Sequence, residues 1–242
     1  TTEIYTLSLH DALPISGLLG KETRAIKVIE ALVRSRYSVT FLGWDRGLND
    51  PIIKQRKAGS VSREILLKFK GPSHTNTLLI YPIWWCFVLF QLMITKWDIV
   101  HAINFDSVPP AVIAAKLKRK PVIYDMLDTY EDSILLPKSV RNICISIDKL
   151  FMRLAGSVIL ADEMQIEEVG GIPNSKVVTV YDSPPDISRG ITLNHRRDDV
   201  FTLFFGGVLA PVKALNLDKI FTAVERIEGV KIVIAGYGDL VD

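Results

Sequence analysis

The sequence predicts an α/β protein built on mainly parallel sheets and divided into two domains of the same type. Three observations carry this. Short apolar segments alternate with helical ones along the chain. Segments such as DIVHAIN, PVIYD and SVILA are near-continuous apolar runs, the pattern of strands covered on both faces rather than on one. The alternation breaks at SPPDISRGITLNHRRDD, where prolines and mixed charge replace periodicity, and restarts at Val200. The expected organisation is a first domain over residues 16–182, a linker over 183–199 and the start of a second domain over 200–242.

Each element has its own signal. Lys21 to Ser35 places Ala25, Ile26, Ile29, Leu32 and Val33 at helical spacing, with one face to bury. Tyr37 to Gly43 is a strand, followed by a loop rich in Gly, Asn and Pro. Ile65 to Phe69 is a short strand inside a basic stretch. Strands are predicted over Asp98–Asn104, Pro121–Asp125, Ser157–Ala161 and Lys176–Asp182, with helices over Pro109–Leu117 and Val140–Leu154 between them. Asp162 is placed to cap a short helix ending at Val169. In the second domain, strands at Phe201–Phe205 and Val230–Ala235 each run into glycines.

Residues 75–95 contain no charge. The stretch is barely long enough to span a bilayer. It reads equally as a helix buried against the sheet or one seated in a membrane interface, with Tyr81, Trp84 and Trp85 at the headgroup level. Lys54, Arg56, Lys57, Arg63, Lys68 and Lys70 lie just upstream, so residues 54–95 are a candidate contact with an anionic membrane. Hydrophobic residues make up 48% of the chain and charged ones 23%, an ordinary globular balance. With 29 basic and 27 acidic residues the net charge is only +2, which argues against a nucleic-acid binder. Cys86 and Cys144 are far apart in apolar surroundings, and reduced core thiols are expected.

The first fifteen residues, TTEIYTLSLHDALPI, are similar to the codon-by-codon translation of a common short-read sequencing adapter. They are therefore read as an artefactual segment and set aside, as a cloning scar would be. His10 and Asp11 are not site candidates on this reading. The native first strand is expected to be lost, leaving its place in the sheet unfilled or wrongly filled.

With these pieces in place the chain resembles a GT-B glycosyltransferase of family 4. The resemblance is carried by KETRAIKVIEALVRSRYSVTFLGWDR, WDIVHAINFDSVPPAVIAAKLKRKPVIYD, VILADEMQIEEVGGIPNSKVVTVYDSPPD, GGVLAPVKAL and IAGYGDL, in that order across residues 17–242. Departures are Val208 where the donor loop usually carries arginine, Ala214 where glycine follows the lysine, and Ile103 and Leu127 where the pattern has histidines. The resemblance implies two Rossmann-like domains facing each other, the first presenting an acceptor and the second holding a nucleotide sugar. It also implies hexosyl transfer with retention and without a metal. No Asp-x-Asp motif is apparent, which fits that expectation. The acidic pair that grips the donor is expected beyond Asp242.

The candidate site residues follow from position. His101, Asn104, Phe105 and Asp106 lie at the C-terminal end of a strand, the end that faces the ligand crevice in open parallel sheets, and His101 and Asp106 are candidates for the reaction centre. Asp125 ends the next strand and is a third; Asp128, Tyr130 and Glu131 follow it. On the donor side, Gly206 and Gly207 let backbone N–H groups approach phosphate oxygens, Lys213 at the mouth of a helix supplies charge, and Gly236 and Gly238 repeat the arrangement. No metal ligands and no separate cofactor are expected. The partners are a nucleotide-diphosphate sugar and a saccharide or lipid-linked acceptor, in a cytoplasmic, membrane-associated setting. Two rival readings are a nucleotide-sugar epimerase of the same fold, which would act on donor without acceptor, and a non-catalytic membrane-docking partner of a glycosyltransferase. The 242-residue chain alone is expected to show no transfer in an assay with labelled donor; transfer by it would contradict the placement of donor-binding elements downstream.

Overall fold

A computed structural model of the chain describes residues 9–18, 22–46, 63–69, 80–127, 138–183, 200–208 and 211–237. It divides into two compact units, Thr1–Pro184 and Pro185–Asp242.

In the first unit, β1 (His10–Pro14), β2 (Ser38–Asp45), β3 (Arg63–Lys68), β4 (Ile99–Ile103), β5 (Val122–Met126), β6 (Ser157–Leu160) and β7 (Val177–Thr179) form one sheet in the order β3-β2-β1-β4-β5-β6-β7. Every pairing is parallel. The helices α1 (Thr23–Arg34), α2 (Tyr81–Ile94), α3 (Val108–Lys118), α4 (Lys138–Leu154) and α5 (Gln165–Val169) supply the crossovers that parallel strands require. The elements agree with those read from the sequence to within a few residues at each end, apart from β7, which stops three residues before Asp182.

Side-chain alternation along the strands sorts the core into two layers. Val100, Ala102, Tyr124 and Met126 pack with Trp84, Val88 and Leu92 of α2, with α3, and with Met152 of α4. On the other face Leu13, Ile15, Phe41 and Ile103 pack with Ala25 and Ile29 of α1. Each large apolar side chain so buried contributes roughly 1.5–3 kcal/mol. Proline at N1 or N2 starts both α2 and α3, where its missing N–H costs nothing.

Of the two readings left open for residues 75–95, burial holds for Trp84 and Tyr81, which are core residues, and Trp84 stacks on Trp44 at 6.2 Å between ring centroids. Fourteen residues long, α2 turns these rings inward, and Cys86, expected in the core, is exposed on its outer face. Cys144 is half-buried. No helix among the described residues is long and apolar enough to cross a membrane.

In the second unit, β8 (Phe201–Val208) pairs in parallel with β9 (Val230–Tyr237), joined by α6 (Pro211–Val224). Both strands run further than the sequence suggests. Gly206 pairs with Ala235 and Gly207 with Gly236, because a glycine keeps both its ladder groups when its neighbours hold it extended. These three glycines thus lie in the sheet rather than in the loop after it; residues 209–210 and Gly238 lie outside the described residues, as does the linker from 184 to 199.

The central place in the large sheet, expected to lack its native strand, is filled by β1 with a sequence poorly suited to it. Ile15 donates to Leu42 of β2, so by strand alternation the nitrogen of Pro14 faces β4, where it has no proton to give. The β1–β4 register accordingly ends at Ala12–Val100. Asp11 is buried, its Oδ1 has no hydrogen-bond partner, and burial pushes its carboxyl up from 3.8 to about 6. Folded protein therefore keeps this proton over a window in which the unfolded chain has lost it. The contribution of Asp11 to stability is greatest below pH 3.8 and falls as pH rises through about 6. Asp11→Val is expected to remove that fall and to stabilise the protein by about 3 kcal/mol at neutral pH, read from urea unfolding; a less stable variant would contradict this account of β1.

Candidate active site at the sheet's switch point

The strand order reverses between β1 and β4, so the connections after these two strands leave in opposite directions and open a crevice at their C-terminal ends. The segment after β1 brings Ser16 and Gly17 to this place, and the segment after β4 brings Asn104, Phe105, Asp106 and Ser107. Asn104 turns the chain out of β4 with a left-handed φ of 61°, a conformation asparagine tolerates better than most residues. Its N–H donates to the carbonyl of Asp125 at 2.9 Å, and its Oδ1 accepts from the N–H of Leu127 at 3.0 Å. The exits of β4 and β5 are thereby locked together.

Asp106 occupies the crevice. The Ser16 hydroxyl donates to its Oδ2, and the Ser107 hydroxyl lies 3.3 Å from Oδ1. Its carbonyl accepts from Trp85 Nε1 of α2 at 2.8 Å. Removal from water pushes its carboxyl up to about 7, against the lowering effects of the Ser107 bond and the Arg46 charge. A carboxyl with that affinity exchanges protons near neutral pH, which suits a group that handles a hydroxyl substrate. Arg46, at the end of β2, donates to the carbonyl of Ser16 at 3.0 Å and covers the ring of Trp44 at 4.5 Å. Gly43 of β2 passes so close that a Cβ there would meet the Gly17 carbonyl at 2.9 Å, so a side chain at this position would displace the loop that carries Ser16.

His101 and Asp125 lie deeper, on the α1 side of the sheet. Asp125 is fully buried and accepts from Arg24 through Nε at 3.0 Å and Nη2 at 2.7 Å. His101 Nε2 lies 3.1 Å from its second oxygen. Burial alone would raise the Asp125 carboxyl; the bonds from His101 and Arg24 outweigh it and hold the carboxyl below its ordinary range. Arg24 Nη1 also reaches the carbonyl of Val180 at 3.0 Å, so α1, β4, β5 and the chain after β7 meet in one charged network. Both predicted residues are therefore brought together, beneath the crevice rather than on its wall.

Sequence reading missed Arg24, Arg46, Ser16 and Trp85. Arg24 had a signal: a cation in the first turn of a helix sits against the positive end of its dipole, and α1 carries no acidic residue there to offset it. An anion from elsewhere in the fold is what such a position requires. On the sheet edge beyond β6, Asp162 caps the turn before the short helix, accepting from Met164 N–H at 2.8 Å rather than standing at its N-cap. Asp128, Tyr130 and Glu131 lie outside the described residues. Lys213 is placed by the backbone in the first turn of α6, in the second unit. Among the described residues no three His, Cys, Asp or Glu side chains gather as a metal ion would require.

No profile of a known protein family matches the chain, and no curated protein matches it. Solved structures do. The apo form of the lipopolysaccharide outer core galactosyltransferase WaaB matches with a TM-score of 0.60 and 16% identity, over 96% of this chain and 62% of that one. Acinetobacter baumannii MurG matches with a TM-score of 0.56 and 16% identity, over 93% of this chain and 60% of that one. Anabaena HepE in complex with UDP-glucose matches with a TM-score of 0.54 and 17% identity, over 95% of this chain and 61% of that one. The fold is that of the GT-B glycosyltransferases. The chain spans about three fifths of the length of these proteins.

Arg24→Met leaves buried Asp125 with His101 alone as a side-chain partner and is expected to cost about 3 kcal/mol in urea unfolding. A loss below about 1 kcal/mol would show that the network does not hold α1 to the sheet.

Proposed function

We propose that the chain is the acceptor-side domain and the opening of the donor-side domain of a glycosyltransferase, which moves a sugar from a nucleotide-diphosphate donor to a saccharide or lipid-linked acceptor. The observation that carries the reading is Asp106: a carboxyl titrating near neutrality, at the switch point of an all-parallel sheet, in a fold shared with glycosyltransferases of which one, HepE, holds UDP-glucose.

In this reading ionised Asp106 accepts a hydrogen bond from the acceptor hydroxyl and aims its oxygen at the anomeric carbon. The bond from that carbon to the diphosphate breaks as the new one forms, and the departing diphosphate takes the hydroxyl proton. Lys213, in the first turn of α6, would offset the growing charge on the diphosphate. The Arg24–Asp125–His101 network fixes the floor beneath Asn104, and through it the loop bearing Asp106. Retention of configuration and independence from metal belong to this proposal on the resemblance to family 4. So does the reading of residues 1–15 as an adapter translation, which Pro14 and the buried Asp11, with one carboxylate oxygen lacking a partner, in a central strand support.

Three outcomes are expected for the full-length protein. Donor sugar is transferred with its anomeric configuration kept, by NMR of the product, and the rate is unchanged by EDTA. The rate rises with pH through about 7 as Asp106 loses its proton. Asp106→Asn removes that limb and lowers kcat/KM for the acceptor about a hundredfold while nucleotide-sugar affinity is unchanged. An unchanged kcat/KM in this variant would overturn the role of Asp106, and donor turnover without any acceptor would favour an epimerase.

A further inference from the structure

Helix α4 carries a coiled-coil seam on its outer side. Val140, Ile143, Ile147, Leu150 and Leu154 stand three, four, three and four residues apart, and all five are exposed. This is the a and d pattern of a heptad, which sets one narrow row of side chains along one side of a helix, here over about four turns. Ile143 keeps 59% of its surface. The rotation of the helix is fixed from inside. Asp148 is buried and accepts from the Tyr124 hydroxyl of β5 at 2.7 Å, and Met152 packs into the core. The core therefore takes one set of α4 side chains and leaves a second, regularly spaced set facing out. Helix α3 lies against α4 and adds exposed Ile113 and Leu117, four residues apart, to the same apolar surface.

Charge around the seam has one sign. Lys138 and Arg141 open α4, and Lys149 and Arg153 close it. Lys116, Lys118 and Arg119 close α3. Helix α3 has no carboxylate, and the one on α4, Asp148, is spent on the core.

Spacing and charge together specify what fits. A strict row of alternating three- and four-residue steps matches the holes of another helix. The basic flanks select for carboxylates beside that helix's own apolar row, as charges beside a seam select a partner in coiled coils. A second copy of this chain is a poor match. Because α4 is basic at both ends, self-pairing sets basic residues against basic ones whichever way the two helices run.

We propose that α4, with Ile113 and Leu117 of α3 beside it, docks an amphipathic helix of a partner protein, one whose aliphatic heptad row packs on the seam and whose flanking residues are acidic. The basic ends of α3 and α4 lie at the edge where the strands begin, whereas the crevice lies where β1 and β4 end, so a helix seated there leaves the crevice open. Docking does not depend on the proposed transfer reaction and is measured without it.

The probes are two synthetic peptides of three heptads each, with isoleucine at a and leucine at d. One carries glutamate at every e and g position and the other lysine. Alone, each is unfolded, because so short a helix is marginal and its like charges repel across the seam. The 242-residue chain is expected to raise the helical circular dichroism of the acidic peptide, and by fluorescence anisotropy to bind it at least about tenfold more tightly than the basic one. The double variant Ile143→Gln, Ile147→Gln keeps its melting temperature, since glutamine suits an exposed helix position at least as well as isoleucine. It is expected to bind the acidic peptide at least about tenfold more weakly. The double variant Lys116→Glu, Arg153→Glu is expected to exchange the preference and favour the basic peptide, a gain that loss of fold cannot mimic. Absence of binding to the acidic peptide, equal binding of the two peptides, undiminished binding by the isoleucine variant or an unmoved preference in the charge variant would overturn the proposal. So would a dimer in sedimentation equilibrium that the isoleucine variant dissolves, since the seam would then belong to a second copy.

Discussion

A carboxylate at the heart of a seven-stranded sheet stays ionised only if the fold brings it charge or hydrogen-bond donors, and Asp125 receives the Arg24 guanidinium and a hydrogen bond with His101 from different elements. Arg24 comes from the first turn of α1 and His101 from the adjacent strand. Because Arg24 also holds the carbonyl of Val180, the same guanidinium ties the start of α1 to the chain leaving the far edge of the sheet. The desolvation of three polar groups makes such a network a poor source of net stability, but breaking it part-way is costly, so it specifies the position of α1 more than it strengthens the fold.

From that anchor the crevice is built upward. Asn104 hangs on the backbone of Asp125 and Leu127, and the turn it makes delivers Asp106 to the gap between β1 and β4. Trp85 braces the same turn from α2. Two carboxylates are thus driven in opposite directions: Asp125, with its partners, is held low, and Asp106, removed from water, is raised to about 7.

The sheet, its parallel character and most element bounds were legible in the sequence, because runs such as PVIYD and SVILA are dictated by burial on both faces. Asp106 was legible as a residue just past a strand end. The depth of His101 and Asp125 was not, since a polar residue at a strand end looks the same whether it faces a ligand or an arginine from a helix a hundred residues away. The glycines of β8 and β9 read as loop because flexibility is their usual use, yet pairing across the two-stranded sheet holds them extended. Residues 75–95 left burial and a membrane interface equally open, because an uncharged helix carries no sequence mark of which side faces the core; the structure buries Tyr81 and Trp84. The slot at β1 depended on long-range pairing that no local pattern announces, and His10–Pro14 fills it at the expense of a buried carboxylate.

The most direct measurement is a crystal structure of the full-length protein with a nucleotide-diphosphate sugar bound. The account places the sugar over the C-terminal ends of β1 and β4, with its anomeric carbon facing the Asp106 carboxylate across a space the size of an acceptor hydroxyl. A donor bound elsewhere on the sheet, or a sugar turned away from Asp106, would contradict it.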